Sequence, residues 1–277
     1  MPLLCDAHTH LDQFPQEEIP AILQRARQAG VGFIIAAGVT LESSRRCIGM
    51  AQAYPEVWAG VGIHPMELSA PLTETALAQL EALARSSPKV VVISEIGLDF
   101  SGSAPDLAWQ YDAFRQQIRL ARRLHLPIIF HSREPPGYPE AHREVLRLLR
   151  EEHAWEVGGA MHYFQADLSI AQACLDLNFH ISLAKPLLRL PHLEEVVRRL
   201  PITALVLETD AYPQPFKKRR EQWTEPKDVL TVAQKIAHLK SVPIDEVAYA
   251  TTQNLLRILG RPYLLPAISP HPTGLIP

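Results

Sequence analysis

Short runs of apolar and β-branched residues recur along the chain at 3–8, 31–37, 57–63, 90–96, 127–131, 157–163, 178–183 and 205–210, and amphipathic stretches separate them. Within LAWQYDAFRQQIRLARRL, Leu107, Tyr111, Phe114, Ile118 and Ala121 return at alternating steps of four and three, the period of a helix with one buried stripe. Strand and helix signals that alternate eight times over roughly 250 residues predict a single-domain α/β fold of the (β/α)8 TIM-barrel type, in which crossover helices cover parallel strands. An open doubly wound sheet is the competing architecture. No Gly-x-Gly-x-x-Gly follows the first strand, however, where a dinucleotide-binding fold carries one. The barrel pattern occupies residues 1–260. Beyond Gly260, five prolines fall within the seventeen residues 261–277, a composition that cannot continue a helix and predicts an extended strap or a disordered tail. Neither that tail nor His271 within it is assigned a role.

Composition narrows the setting. The 277 residues are 47% hydrophobic, enough to bury one large core. Net charge is −3, so any contact with nucleic acid has to come from a local patch or a metal rather than from the overall field. Cys5, Cys47 and Cys174 are odd in number and lack metal-type spacing, which argues against a disulfide framework or a cysteine zinc site and fits a reducing cytoplasm. No basic segment precedes a long apolar stretch at the start, and no run approaches the ~18 apolar residues of a membrane span. The expectation is a soluble cytoplasmic protein without a membrane partner.

Candidate chemistry collects where the predicted strands end. His8 and His10 end the first, His64 the third, Glu95 the fourth, His131 the fifth, His162 the sixth and Asp210 the eighth. Barrel active sites are built on that carboxyl-terminal face. Residues two apart on a strand point to one side, so His8 and His10 are expected to face the barrel axis, with Asp6 below them and Cys5 toward the helices. Imidazoles and carboxylates together suit zinc, manganese or iron, and oxygen-rich remainders admit magnesium. The set is too large for one tetrahedral ion and about enough for two, with Glu95 as the natural bridge. Asp6, costly if unpaired, is expected to fix a ligand or bond a neighbouring strand, and Asp12 to cap the next turn. His125, His142, His153, His192 and His238 read as surface or capping residues and His180 as a core residue.

The stretches DAHTHLD, GIHP, SEIGLDF, LPIIFHSRE and LETDAYP, in this order, resemble the signature segments of the TatD family of metal-dependent hydrolases, a branch of the amidohydrolase superfamily. The likeness runs from Asp6 to about Glu225 and continues weakly in TTQNLLRILG. It implies a TIM-type barrel, a divalent-metal site and a DNase that removes nucleotides from single-stranded DNA ends. Carried over by position, His8 and His10 match the first metal pair, Glu95 the carboxylate shared by two ions, and His131 and His162 the second metal's ligands. Asp210 matches the aspartate that binds metal and handles the proton of the attacking water. His64 has two readings, a contact to substrate phosphate or support of the turn around it. Arg133 either grips a phosphate with its fork or forms a salt bridge at the rim. Asp99 is read as an organiser of its loop.

Departures from the family pattern are HYFQAD after the sixth strand, Met66 after GIHP, and Trp223-Thr224-Glu225-Pro226 in place of Arg-Asn-Glu-Pro. The preceding Lys217-Lys218-Arg219-Arg220 either supplies phosphate charge or is a solvated face. Three functions compete: a two-metal phosphodiesterase acting on DNA, an esterase or deacylase acting on a carbonyl bond such as that of aminoacyl-tRNA, and a non-catalytic binder. Many carbonyl-cleaving relatives in the superfamily bridge their metals with a carboxylated lysine at the end of the fourth strand. Here Lys89 precedes that strand and Glu95 stands in the place, which favours the first. The complete ligand set argues against the third, and the identity of the two ions, magnesium, manganese or zinc, stays open.

Overall fold

A computed structural model describes residues 3–135 and 140–260. Its eight strands are β1 (Leu4–Thr9), β2 (Val31–Ala37), β3 (Val57–Val61), β4 (Val90–Asp99), β5 (Ile128–Arg133), β6 (Gly159–Met161), β7 (Phe179–Leu183) and β8 (Leu205–Leu207). Each pairs in parallel with the next, in sequence order. The helices are α1 (Ile19–Gln28), α2 (Leu41–Ala53), α3 (Glu74–Arg85), α4 (Leu107–Leu124), α5 (Glu140–Glu151), α6 (Leu168–Asp176), α7 (Pro191–Arg199), α8 (Val229–Lys240) and α9 (Ile244–Ile258). This is the expected (β/α)8 barrel with one added helix. The proline-rich tail lies outside the described residues.

Two of the predicted strands are shorter for a backbone reason. β6 is bounded by left-handed Gly158 (φ 63°) and Tyr163 (φ 47°), and the chain leaves β8 for a left-handed Asp210 (φ 51°), a conformation that cannot continue a strand. β4 runs longer because its register with β5 continues to Asp99 opposite Arg133. The helical stripe in α4 also turns: Leu107 is exposed at 40%, whereas Gln110 and Gln117 are buried with Phe114, Ile118 and Ala121. These glutamines hold backbone that carries the site. Gln117 accepts from the Ile63 amide and donates to the Ile63 carbonyl, and Gln110 does the same at Asp99.

Alternation fails at one place in β1, with a consequence for the opening motif. Cys5 packs with Ala7, Phe33, Ile35, Val92, Ile129, Ala160 and Val206. Side chains drawn from six strands meet only inside the barrel, so Cys5 faces the axis, not the helices. The register slips between Asp6 and Thr9, where Asp6 pairs with Ile34 but Thr9 with Ala36. That extra residue is a bulge, and it resets the phase so that His8 and His10 also turn inward. Asp6 sits at the seam with β8, accepting from the Thr209 amide at 2.9 Å and from its hydroxyl at 2.5 Å. It also accepts from the His8 amide at 3.3 Å, so it bonds both the neighbouring strand and the backbone of a candidate ligand. Further seam bonds run from the Asp210 amide to the His8 carbonyl (3.0 Å) and from the His10 amide to the Ala211 carbonyl (2.8 Å). Below the inner layer, Leu255, Leu256 and Leu259 of the TTQNLLRILG stretch close the barrel floor. Cys5, Cys47 and Cys174 are buried free thiols.

Burial pushes the Asp6 carboxyl above the usual carboxylate range, and the Thr209 bonds only partly offset this. Asp6→Ala would strip the Thr209 amide and hydroxyl of their partner and is expected to cost about 2–4 kcal/mol, whereas Asp6→Asn keeps an acceptor and should cost less than half of that. Urea midpoints of the two variants, at unchanged m-value, check this.

Candidate metal centre

Every predicted ligand reaches one place, above the inner layer at the carboxyl ends of the strands. β4 carries Glu95 in a strand buried along its whole length, and the Glu95 amide bonds the Gly38 carbonyl at 2.8 Å. Gly62 makes room for it: a side chain there would come within 2.8 Å of the Glu95 nitrogen. Glu95 is 3% exposed. Its Oε2 lies 3.4 Å from Nε2 of both His8 and His10. Its Oε1 lies 3.1 Å from His131 Nδ1, 3.3 Å from His64 Nε2 and 3.6 Å from His162 Nε2. One carboxylate thus divides its two oxygens between two sets of imidazoles. Asp210 Oδ1 stands across from it, 3.3 Å from His10 Nε2 and 3.9 Å from His162 Nε2.

Groups on the far side of the rings fix their orientation. His10 Nδ1 lies 3.3 Å from the Ala37 carbonyl, His131 Nε2 3.0 Å from Asp99 Oδ2, and His162 Nδ1 2.9 Å from Glu208 Oε1. His8 Nδ1 lies 3.4 Å from the Ser94 hydroxyl. Asp99 therefore does more than organise its loop. It accepts from the Ser101 amide and also faces a ligand-type histidine. Glu208 was not singled out in the sequence, although a fully buried carboxylate two residues before Asp210 shares its face of the chain. It also accepts from the Tyr163 amide and the Ser182 hydroxyl.

Among the described residues, three donor groups have ligand atoms within 4.8 Å of one another: His8, His10 and Glu95; His8, His162 and Asp210; His64, Glu95 and His131. The His162 and His8 rings lie tilted by 31° with centroids 3.8 Å apart, and the His162 ring centroid is 6.4 Å from that of His131. His64, expected at a phosphate or in its turn, stands among the donors. The fully buried His8 Nε2 has no hydrogen-bond partner among the described residues. A buried, unpartnered ring nitrogen facing a carboxylate fits a divalent cation between them, and the mixed imidazole and carboxylate set suits zinc, manganese or magnesium.

Above the donors opens a cavity of about 780 Å³, lined among others by Arg133, Tyr163, Gln165, Arg189 and Tyr212. Arg133 has no ion pair among the described residues, so the rim salt bridge is not found there. Arg189, in the loop after β7, is an exposed cation at the same mouth that no sequence motif marked. His142 is no surface residue: it is buried, 2.7 Å from the Ser132 hydroxyl, and lines the cavity. Asp12 does not cap the turn after it but accepts from Ser43 and Arg46 of α2. None of Lys217, Lys218, Arg219 and Arg220 lines the cavity. Arg220 is instead tied to Glu18 (2.6 Å) and Glu225 (2.9 Å), with its guanidinium 4.6 Å from the Trp223 ring centre. Lys89 donates to the Pro55 and Val57 carbonyls, away from the donors.

The profile of the family described as TatD related DNase matches residues 5–260. The chain belongs to the TatD family. A metal-dependent hydrolase of Bacillus subtilis called YabD, itself uncharacterised, is 34% identical over 262 residues, which cover 92% of this chain and 98% of that one. A TatD protein of Edwardsiella piscicida, named a 3′-5′ ssDNA/RNA exonuclease, is 34% identical over 216 residues, 74% of this chain and 80% of that one. The crystal structure of the TatD homologue YjjV of Escherichia coli superposes with a TM-score of 0.83 at 32% identity, covering 94% of this chain and 98% of that one. Like these TatD relatives, the protein is a metal-dependent hydrolase.

Within the TatD donor set, neighbouring carboxylates raise three of the five histidines, and burial lowers His8 and His64. Burial alone would lower His10 and His162, but Asp210 bonded to His10 raises that ring to about 9, and Glu208 with Glu95 raises His162 to about 10. His131 is also raised, burial being outweighed by Asp99 and Glu95. Burial would raise Glu95, yet the surrounding imidazoles hold it well below the usual carboxylate range. With His10 raised to about 9 and His162 to about 10, each must lose a proton to ligate, so metal binding should release about two protons per chain at pH 7.5. Affinity should rise with pH and the release shrink above pH 9. Calorimetry of manganese binding in buffers of different ionisation enthalpy measures the proton count, and a count of zero would contradict this.

Proposed function

We propose that this protein hydrolyses phosphodiester bonds at the ends of single-stranded DNA, using two divalent ions that share Glu95. The observation that carries the reading is the division of the Glu95 oxygens between His8 with His10 on one side and His131 with His162 on the other. His8, His10 and Glu95 would hold one ion, Glu95, His131 and His162 the other, with Asp210 facing both. Bound magnesium, manganese or zinc supplies a lowered water pKa and stabilises charge developing on phosphorus-bound oxygens.

The chain's own groups do the rest. Asp210, held below the usual carboxylate range because His10 and the other imidazoles outweigh its burial, is ionised and accepts the proton of the attacking water. Arg133 and Arg189 offer charge-assisted hydrogen bonds to backbone phosphates entering the cavity, and the Tyr163 and Tyr212 rings beside them offer faces for unstacked bases. The exonuclease name of the Edwardsiella relative supports the same substrate class. Against cleavage of a carbonyl bond through a carboxylated lysine, Lys89 is bound to backbone on the opposite end of β4, and Glu95 is the group that stands among the imidazoles.

Metal-stripped protein refilled in turn with magnesium, manganese and zinc, and assayed on end-labelled single-stranded DNA and on D-aminoacyl-tRNA, tests this. Release of single nucleotides from DNA ends with at least one ion is expected, and Asp210→Asn should lower kcat by roughly 10²–10⁴ while the metal is retained. Hydrolysis of the aminoacyl ester with intact DNA would move the protein to the carbonyl class.

A further inference from the structure

We propose that His64 is a hydrogen-bond donor to the substrate's reacting phosphoryl group and is not a metal ligand. This rests on the phosphodiesterase reading and adds a catalytic residue to it. Five imidazoles surround Glu95, and the partner of the outer nitrogen decides what each inner nitrogen can do. For His10 and His131 the outer nitrogen faces a carbonyl or carboxylate oxygen, which only accepts. Those rings carry a proton on the outside and, when neutral, turn a lone pair inward.

His64 is built the other way round. Its outer Nδ1 accepts from the backbone amide of Met66 at 3.1 Å, and an amide N–H only donates. The ring proton of neutral His64 therefore sits on Nε2, the inner nitrogen, 3.3 Å from Glu95 Oε1. Ligation through Nε2 would need that proton moved to Nδ1, against the Met66 N–H, leaving a donor without an acceptor. The arrangement is held firmly. His64 caps the short turn Pro65–Glu67, its amide bonds the Val39 carbonyl, its carbonyl accepts from Glu67, and Gln117 grips both polar groups of Ile63 before it.

Glu95 Oε1 has His131, His64 and His162 within 3.6 Å, and His131 is nearer than His64. An ion drawing on Glu95 Oε1 would leave the fixed His64 N–H to an incoming oxygen, and His64 lines the cavity where one would arrive. A fixed donor aimed at developing negative charge contributes on the order of 10²–10³ in kcat.

The test uses His64→Asn and His64→Gln in the full chain. The Asn carboxamide oxygen can replace Nδ1 as acceptor for Met66 while leaving no donor at the Nε2 position; the Gln carboxamide reaches that position with an N–H. Manganese titration of the metal-stripped proteins should give the same number of ions as the parent, with Kd within about threefold for both variants. Turnover of bis(p-nitrophenyl) phosphate should fall about 10²–10³-fold in the Asn variant and recover at least about tenfold in the Gln variant. Loss of one ion from the Asn variant, or more than tenfold weaker binding, would make His64 a ligand and overturn the proposal. Unchanged turnover, or equal losses in both variants, would overturn it as well, leaving only support of the turn. If the parent does not cleave the phosphodiester, the phosphodiesterase reading fails by itself. The donor is then read from inorganic phosphate binding to manganese-loaded protein, expected about tenfold weaker in the Asn variant and restored in the Gln variant, with no such pattern counting against it.

Discussion

A carboxylate buried among imidazoles governs this molecule. Glu95 is almost wholly withdrawn from water, and an isolated charge there would cost several kcal/mol. It is tolerated because His8, His10, His64, His131 and His162 turn a ring nitrogen toward it. Each ring in turn depends on a group behind it: Ser94, Ala37, Met66, Asp99 and Glu208. The protein without ions answers the same charge with protons on His10 and His162, so its metal chemistry and its proton chemistry are one equilibrium.

The barrel brings these side chains together by arithmetic of phase and length. Parallel strands ending at one level present their last inward residues to a common mouth. The β1 bulge lets His8 and His10 join that mouth although Cys5 already faces the axis. Asp6 and Thr209 close the β1–β8 seam next to Asp210, and Gln110 and Gln117 fasten the chain at Asp99 and at Ile63, one residue before His64. Supports of this kind fix the orientation of the rings that would ligate a metal.

Much of this was legible in the chain before folding. The alternation of strand and helix signals specifies the barrel, and ligand-type residues at successive strand ends mark the centre because the period of two places them on one side. What was not legible depends on departures from period or on distant partners. A bulge inverts the facing of Cys5 and Asp6 without a residue-type signature. Gln110 and Gln117 look like polar interruptions of a helix face until the Asp99 and Ile63 backbones come against them. Arg220 reads as a basic run but is spent on Glu18, Glu225 and the Trp223 ring, whereas the isolated Arg189 reaches the mouth. The direction of the His64 ring follows from one backbone amide, which no side-chain pattern reveals.

The proposed sharing of Glu95 between two ions is the point on which the proposed chemistry turns, and anomalous scattering from crystals soaked in manganese addresses it directly. Two anomalous peaks are expected, one at ligand distance from each Glu95 oxygen, the first beside His8 and His10 and the second beside His131 and His162. A single peak, or two peaks of which neither touches Glu95, would contradict a shared carboxylate.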